Sequence, residues 1–283
     1  MRNDQMKGKT CLITGATSGI GLVTAQALAQ QGATLIVVGR NASKGADTIA
    51  RIRQETGNPE VRFMLADLSE QAPVRSLAQE FTARYASVDV LINNAGAFFF
   101  KRQLNADGIE KTFAVNYVSV FLLTHLLLDA LQASGSSRIV NVASDAHRGA
   151  RMHFDDLNLQ HGFNGYRAYA QAKLAVVLLT YELARRLQGT HVTVNALHPG
   201  FVATNLYASS GGLVKLFAPL YTRRALSPEE GAQTSIYLAS SPEVAGVSGA
   251  YFAGKQAVRS SPASYDQAAA EQLWTISMGL AGL

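Results

Sequence analysis

Short apolar runs alternate with stretches of helical periodicity along most of the chain. Strands of a sheet that helices cover on both faces read as unbroken apolar runs, and their alternation with helices is typical of βαβ units. The pattern predicts seven strands, at Thr10–Ile13, Thr34–Val38, Val61–Leu65, Val88–Asn93, Arg138–Val142, Val192–Leu197 and Ala250–Phe252. We therefore expect an α/β fold built on a parallel sheet.

One helix start is marked clearly. Ser227-Pro228-Glu229-Glu230 combines a capping serine, a proline at the first helical position and a glutamate placed to close a capping box. The sequence predicts a helix from this point. By contrast, Ser209–Tyr221 mixes glycines with an apolar stretch and fits no strand.

Composition and charge narrow the class of protein. The 283 residues suit one three-layer domain. Hydrophobic residues make up 48% and charged residues 16%, which fits a sheet covered on both faces and excludes disorder. The net charge of +5 is modest, and the basic residues are scattered apart from short pairs such as Arg185-Arg186 and Arg223-Arg224. We expect no nucleic-acid partner, whereas an anionic cofactor suits this charge.

The remaining composition predicts a soluble, cytoplasmic protein without a metal. Cys11 has no second cysteine to pair with and lies in an apolar run, so we expect it to pack in the core. Met1–Lys9 is polar and lacks an apolar stretch long enough for a signal peptide or a transmembrane anchor. The six histidines show no ligand spacing with cysteines or carboxylates, and His125 is predicted to pack within a helix.

A glycine-rich turn follows the first strand. Thr14-Gly15-Ala16-Thr17-Ser18-Gly19-Ile20-Gly21 has the spacing TGxxxGxG and precedes the helical run Leu22–Gln31. Glycines let the backbone approach a pyrophosphate, which the free N–H groups and dipole of the following helix stabilise. We expect a nucleotide site here, although tight turns also need glycine for structural reasons.

The end of the second strand bears on cofactor choice. In Val37-Val38-Gly39-Arg40-Asn41 the acidic residue that would bind an NAD ribose hydroxyl is missing, and Arg40 stands nearby. A guanidinium favours a 2′-phosphate through its charge and its planar donor fork. NADP(H) is therefore the preferred prediction and NAD(H) the second candidate. The alternative is that Arg40 is a solvated loop charge.

Tyr169 and Lys173 are placed to act on one ligand. Their i, i+4 spacing puts a phenol and an ammonium on one face of a helix. A free tyrosine titrates near pH 10, so it carries protons poorly at neutral pH unless a nearby positive charge stabilises the phenolate. Lys173 can supply that charge. Taken alone, the pair is more typical of a tyrosine packed beside a lysine.

Several motifs in a fixed order give the chain a family resemblance. With Asp67-Leu68, Asn93-Asn94-Ala95-Gly96, Asn116, Ser144, Tyr169, Lys173 and Pro199-Gly200 in place, the sequence resembles the short-chain dehydrogenase/reductase family nearly end to end. The resemblance implies a single Rossmann-like, doubly wound domain over residues 1–283, with strand order 3-2-1-4-5-6-7 and helices on both faces. Its cofactor half would span about 1–145 and its catalytic and substrate half about 146–283.

The same resemblance implies a set of cofactor contacts. Asp67 and Leu68 would contact adenine, and the segment after the fourth strand would form a wall beside the adenosine ribose. A later segment would close on the nicotinamide amide and the pyrophosphate. The implied cofactor-binding residues are Gly15, Thr17, Ser18, Gly19, Ile20, Gly21, Arg40, Asp67, Leu68, Asn94, Ala95, Gly96, Tyr169, Lys173, Pro199, Gly200, Val202 and Thr204. Helix-start or turn chemistry is the alternative for Asp67, Asn94 and Pro199-Gly200.

The implied catalytic tetrad is Asn116, Ser144, Tyr169 and Lys173. Tyr169 would exchange a proton with the substrate oxygen while a hydride moves to or from nicotinamide. Ser144 would hydrogen-bond the same oxygen. Lys173 would lower the pKa of the tyrosine and bind ribose hydroxyls, and Asn116 would hold a water that passes protons to solvent.

A closer resemblance concerns the substrate. Arg138–Ser144, His153–Leu157, Ser227–Ser241 and Trp274 are similar to the retinol dehydrogenase and WW-domain-containing oxidoreductase branch. The sequence shows neither the membrane-anchoring N-terminal segment common in microsomal retinol dehydrogenases nor WW domains. Phe98-Phe99-Phe100 and Gly211–Tyr221 are predicted either to line a lipophilic pocket or to pack in the core; the latter segment also suits a lid or a membrane-touching helix.

Two functions stay open at this stage. The first is an NADP(H)-dependent oxidoreductase that interconverts a lipophilic aldehyde or ketone, such as retinal, and its alcohol. The second is an NADP(H)-binding regulatory protein with little turnover. The resemblance further implies a homo-oligomer whose interface includes the Arg167–Gln188 helix, and weak contact with a membrane surface stays an alternative.

Overall fold

The computed structural model describes residues 4–202 and 225–283 of the chain. Within these ranges an eight-stranded sheet has the order β3-β2-β1-β4-β5-β6-β7-β8. The strands are β1 (Thr10–Thr14), β2 (Thr34–Gly39), β3 (Val61–Leu65), β4 (Val90–Asn93), β5 (Ser137–Val142), β6 (Val192–His198), β7 (Ala250–Ala253) and β8 (Gln256–Ala257). The Rossmann-like α/β fold is confirmed, and so is the order of its first seven strands.

The eighth strand corrects the predicted count. Strand β8 pairs antiparallel with β7, so that Phe252 lies opposite Ala257. The connecting residues Gly254 and Lys255 both have positive φ, at 56° and 65°, as in a two-residue hairpin turn whose twist matches its strands. Neither Lys255 nor the exposed pair Gln256–Ala257 carries a strand or hairpin pattern, so the sequence did not predict this edge.

Helices cover both faces of the sheet. Helices α1 (Gly19–Gln30), α2 (Ala42–Thr56) and α8 (Pro228–Ser240) pack on one face, and α3 (Gln71–Arg84), α5 (Ser119–Leu126) and α7 (Gly165–Arg186) pack on the other. The short helices α4 (Lys111–Phe113) and α6 (Leu128–Ala133) flank α5. Successive β1 residues alternate between the two cores: Cys11 and Ile13 join one, and Leu12 joins the other.

Two local predictions are confirmed by this packing. Helix α8 begins after Ser227, which accepts a hydrogen bond from the Glu230 N–H while the Glu230 carboxylate accepts one in return. Cys11 is fully buried in the core, and its burial raises the pKa of the thiol above its ordinary value. The thiol is therefore a packing group.

The last helix, α9 (Gln267–Ala281), packs against α7. The Arg185 guanidinium joins the buried Glu182 on α7 to Glu271 on α9, at 2.8 and 3.1 Å. The Arg186 guanidinium lies 4.2 Å from the ring centroid of Trp274. Helix α9 thus covers part of the surface of the helix that the family resemblance implied as a subunit interface. In the described ranges no helix is long and apolar enough to cross a membrane.

Candidate active site

The carboxyl ends of β1 and β4 meet where the strand order reverses, which is where doubly wound sheets bind ligands. Gly15 follows β1 with φ +66°. A Cβ atom on Gly15 would lie 2.8 Å from the Ala95 Cα atom, closer than atoms pack. Glycine is therefore required here for both its backbone conformation and its lack of a side chain.

Thr14 and Asn94 lock this junction. The Thr14 hydroxyl accepts from the backbone N–H groups of Asn94 and Ala95, each at 3.0 Å. The Asn94 amide donates in turn to the carbonyls of Thr14 and Gly15, at 2.8 and 3.2 Å. The side-chain N–H groups of Asn94 therefore hold the glycine turn against β4. The family resemblance predicted this residue as part of a wall beside the cofactor.

The start of α1 is open to an anion. Ser18 precedes the helix in an extended conformation, and its side chain makes no capping hydrogen bond. Gly19 follows with φ +54°. The first N–H groups of a helix carry partial positive charge and need an acceptor. A glycine-lined turn that ends in such a helix start fits a dinucleotide pyrophosphate.

The end of β2 lies beside the glycine turn. A Cβ atom on Gly39 would lie 2.9 Å from the Thr17 side chain, so the two segments are in close contact. The next residue, Arg40, is exposed. Asn41 then caps α2 by accepting from the Lys44 N–H at 2.9 Å. The arrangement places the guanidinium-bearing residue next to the nucleotide cradle.

The predicted adenine contacts lie after β3. Asp67 is exposed, and its carboxylate accepts from the Ser69 N–H at 2.9 Å. Leu68 is half-buried against the core. Helix α3 begins only at Gln71, with Glu70 as its cap residue, so Asp67 shapes the turn before the helix and is not its cap.

The predicted closing segment lies near α1. Gly200 has φ +88°, and the Leu226 side chain fills the space where its Cβ atom would be. Val202 forms a parallel bridge with Leu226. A Cβ atom on Gly231 of α8 would meet both Val202 and Ile20, so these two predicted cofactor residues share one contact region. Thr204 and Gly211–Tyr221 lie outside the described residues.

Tyr169 and Lys173 lie on the same face of α7, as their spacing predicts. The Lys173 Nζ atom is 5.7 Å from the centroid of the Tyr169 ring. It also donates to the Val142 carbonyl, at 2.8 Å, near the end of β5. Lys173 is buried, and the cost of desolvating its ammonium lowers its pKa from 10.5 to about 8.

Asn116 lies in a π-helical turn, Ala114–Val118, between α4 and α5. Such turns are rare and occur mostly at functional sites. The fully buried Asn116 amide donates to the carbonyls of Ala97 and Thr112, at 2.7 and 2.8 Å, and its oxygen accepts from the Ala97 N–H at 3.3 Å. The side chain thereby ties this helix to the segment after β4.

Ser144 follows β5 and begins a 3₁₀ turn, Asp145–Gly149, that packs against α7. Its hydroxyl accepts from the Ala146 N–H at 3.2 Å. Because Val142 lies two residues before Ser144, the Lys173 contact joins the strand end that carries Ser144 to the helix that carries Tyr169. Three of the four tetrad residues are thus tied together through β5 and α7.

Aromatic side chains adjoin Tyr169. The Phe98 ring centroid is 5.8 Å from that of Tyr169 and 5.0 Å from that of Phe100. Phe98 is 7% exposed, whereas Phe100 is 49% exposed. A Cβ atom on Gly165 would collide with the Phe99 carbonyl, so glycine lets α7 begin against this aromatic segment. Phe98 and Phe99 therefore pack in the interior, whereas Phe100 lies at an exposed edge.

The sequence analysis assigned no supporting role to a chain of buried polar side chains beside the site. The Asn93 amide donates to the Asn141 side chain at 2.9 Å, and Asn141 donates to the Thr180 hydroxyl at 3.0 Å. This buried chain joins β4, β5 and α7. An asparagine inside an apolar run marks a buried polar partner, but only the sheet register shows which partner it meets.

Comparison with known proteins identifies the class of this chain. A family model described as short chain dehydrogenase matches residues 9–211. The chain is 43% identical over 294 residues to retinol dehydrogenase 14 of Homo sapiens, spanning 98% of this chain and 88% of that protein. It is 39% identical over 282 residues to polyprenol dehydrogenase of Homo sapiens, spanning 97% and 86%.

A solved structure agrees with these relatives. The Pseudomonas aeruginosa RhlG/NADP active-site complex matches with a TM-score of 0.70 and 30% identity, covering 89% of this chain and 96% of that one. The chain thus belongs to the short-chain dehydrogenase family. Within that family it lies in the retinol dehydrogenase-like branch, and it is an oxidoreductase that acts on CH–OH donors.

Proposed function

We propose that the protein is an NADP(H)-dependent oxidoreductase that interconverts a lipophilic carbonyl compound and its alcohol. The observation that carries this proposal is the placement of Lys173 between Tyr169 and the β5 strand end before Ser144. Because Lys173 is buried, it does not act as a solvated surface charge. Burying an ammonium costs free energy, and a catalytic role beside Tyr169 explains why a lysine stands at this position.

The cofactor is proposed from the glycine cradle and Arg40. The first turn of α1 and the turn after β1 would hold the pyrophosphate. The exposed Arg40, which directly follows the Gly39 that contacts Thr17, would bind a 2′-phosphate. The RhlG structure supports this choice because it is a complex with NADP. When bound, the nicotinamide ring would supply or accept the hydride.

Tyr169 and Lys173 would handle the proton. In the direction of reduction, the Tyr169 hydroxyl donates a proton to the substrate oxygen, and in the direction of oxidation the phenolate accepts one. Lys173, with a pKa of about 8, keeps mostly the ammonium form at pH 7. That charge stabilises the phenolate of its neighbour and allows proton exchange at neutral pH.

Ser144 and Asn116 would complete the site. The Ser144 hydroxyl would hydrogen-bond the substrate oxygen and stabilise the charge that develops on it. Asn116, held between the Ala97 and Thr112 carbonyls, would keep the π-helical turn in the shape needed for a proton-relaying water. The cellular ratio of reduced to oxidised cofactor would set the direction of the reaction.

The substrate class is proposed from the aromatic edge and the relatives. Phe100 presents an exposed apolar ring that packs on Phe98, which in turn packs on Tyr169. Binding sites are mostly apolar with few placed polar groups. The relatives' names refer to retinol and polyprenol, both long apolar alcohols. A long apolar aldehyde or ketone, with all-trans-retinal as the first choice, fits these observations.

NADPH consumption with all-trans-retinal tests the proposal. Wild type and Tyr169→Phe are compared, since phenylalanine keeps the ring and removes the proton donor. Turnover by wild type that the variant loses is expected. Cofactor binding without turnover on retinal or on shorter aldehydes and ketones would contradict the enzyme proposal and favour the regulatory alternative.

A further inference from the structure

His147 is fully buried, and its ring contacts main-chain groups of both Ser144 and Ser261, which lie far apart in the chain. Its Nδ1 atom is 2.7 Å from the Ser144 carbonyl oxygen, which also accepts from the His147 backbone N–H at 3.1 Å. On the other edge of the ring, the Ser261 N–H donates to Nε2 at 3.0 Å. The ring thus joins the turn after β5 to the segment after β8.

These contacts define the protonation state of the imidazole. Because the Ser261 N–H donates to Nε2, that nitrogen holds a lone pair and no proton. Nδ1 then carries the proton and donates it to the Ser144 carbonyl, since a neutral imidazole has one donor and one acceptor nitrogen. Burial lowers the pKa of His147 below its ordinary value, in agreement with a neutral ring.

The surroundings leave the ring little freedom. The Tyr251 ring centroid is 4.9 Å from that of His147. Arg148, the next residue, binds both Asp145 and the Arg259 carbonyl at 3.0 Å. Two successive residues of the 3₁₀ turn therefore hold the segment around Ser261 against the strand end that carries Ser144.

We propose that His147 is a positioning residue for Ser144. Its neutral imidazole fixes the Ser144 carbonyl and thereby the direction in which the Ser144 hydroxyl points, using Ser261 as an anchor. The proposal rests on the proposed function, in which Ser144 contacts the substrate oxygen. In this proposal His147 does not contact the substrate; it acts on catalysis only by holding the backbone of Ser144.

A matched pair of substitutions tests this role. His147→Asn keeps an N–H donor near the position of Nδ1 and loses the acceptor for Ser261. His147→Gln keeps an acceptor near the position of Nε2 and loses the donor for Ser144. Both variants remove the ring from beside Tyr251, so a purely structural role would affect them alike. Ser144→Ala serves as the reference for loss of the hydroxyl.

The expected result separates kcat from KM. With retinal and NADPH, we expect His147→Asn to keep kcat within about threefold of wild type and His147→Gln to lose about tenfold or more, as for one lost buried hydrogen bond. KM and the NADPH dissociation constant should stay within about twofold in both, because neither change touches the bound molecules. Equal kcat values in the two variants, with Ser144→Ala inactive, would overturn the inference.

Failure of the proposed function gives a different result, namely a Ser144→Ala variant with wild-type kcat.

A measurement on the unaltered protein covers the case in which a variant does not fold. Nitrogen-15 NMR of the histidine rings at pH 7 should show His147 as the Nδ1–H tautomer. A proton on Nε2 would overturn the inference.

Discussion

The Nζ atom of Lys173 donates a 2.8 Å hydrogen bond to the carbonyl oxygen of Val142. This contact connects helix α7 to the strand end that carries Ser144, and the ammonium lies 5.7 Å from the centroid of the Tyr169 ring. The hydrogen bond therefore fixes where the ammonium lies relative to Tyr169, and the burial of Lys173 lowers its pKa. The next three predictions concern this lysine.

Removing the charge should separate activity from folding. Lys173→Met keeps the apolar stem and loses the ammonium. We expect kcat to fall by about 100-fold or more, the usual contribution of acid–base assistance, while the secondary structure by circular dichroism stays unchanged. Lys44→Met, an exposed lysine on α2, is the control and should keep wild-type kcat. Equal kcat in Lys173→Met and wild type would contradict the proposed role.

The lowered pKa of Lys173 predicts how stability depends on pH. The unfolded chain titrates this group near 10.5 and the folded chain near 8. Between these values the unfolded state binds more protons, so the free energy of unfolding rises with pH in that window. Denaturant titrations from pH 7 to 10.5 should show this rise in wild type relative to Lys173→Met. A difference that is constant with pH would show that the lysine is not desolvated.

The pH profile of carbonyl reduction should also reflect the titration of Lys173. Above pH 8 the free enzyme loses the ammonium that stabilises the Tyr169 phenolate. We therefore expect kcat/KM for carbonyl reduction, which reports free-enzyme ionisations, to fall as pH rises through about 8. The profile is measured with NADPH and retinal at fixed ionic strength. A flat profile through that region would argue against the assignment.

The glycine turn can be tested by a matched pair of alanine substitutions. Gly15 and Gly8 both have positive φ, at 66° and 77°, but only Gly15 meets a neighbour where its Cβ atom would be. Gly8→Ala should therefore show the backbone strain alone, about 1 kcal/mol, and Gly15→Ala should be destabilised further and bind NADPH more weakly. Thermal unfolding and NADPH fluorescence titration measure the two effects. Equal loss in both variants would mean that contact with Ala95 is unimportant.

Arg40 should decide between the two nicotinamide cofactors. Losing a charge-assisted contact to a 2′-phosphate costs about 1.5–3 kcal/mol, so Arg40→Ala should weaken NADPH binding about 10- to 100-fold and leave NADH binding nearly unchanged. Arg51→Ala, an exposed arginine on α2, is the control for net charge. An unchanged NADPH-to-NADH affinity ratio in Arg40→Ala would disprove this role.

The sequence predicted the sheet better than the details of the site. Apolar runs fix where buried strands lie, and the order of β1–β7 followed from the family resemblance. The hairpin at Gly254-Lys255 was missed because a lysine in the left-handed region has no local signal. Strand β8 therefore had no pattern of its own.

The site was predictable only where chemistry is encoded in neighbouring positions. Tyr169 and Lys173 share a helix, so their spacing alone predicts a common face. The contact of Lys173 with Val142 and that of His147 with Ser261 join residues far apart in the chain. Such pairs form only when the helices and the sheet pack together, and the local sequence pattern does not predict that packing. For the same reason the use of the Asn94 amide within the glycine turn was not foreseen.

Direct transfer of hydrogen from cofactor to substrate tests the central claim most closely. The protein is incubated with retinal and NADPH deuterated at the reactive position of nicotinamide C4, and the product alcohol is analysed by mass spectrometry. The account predicts one deuterium on the carbinol carbon with wild type and none with Tyr169→Phe. Bound NADPH with no labelled alcohol from retinal or from shorter aldehydes and ketones would contradict it.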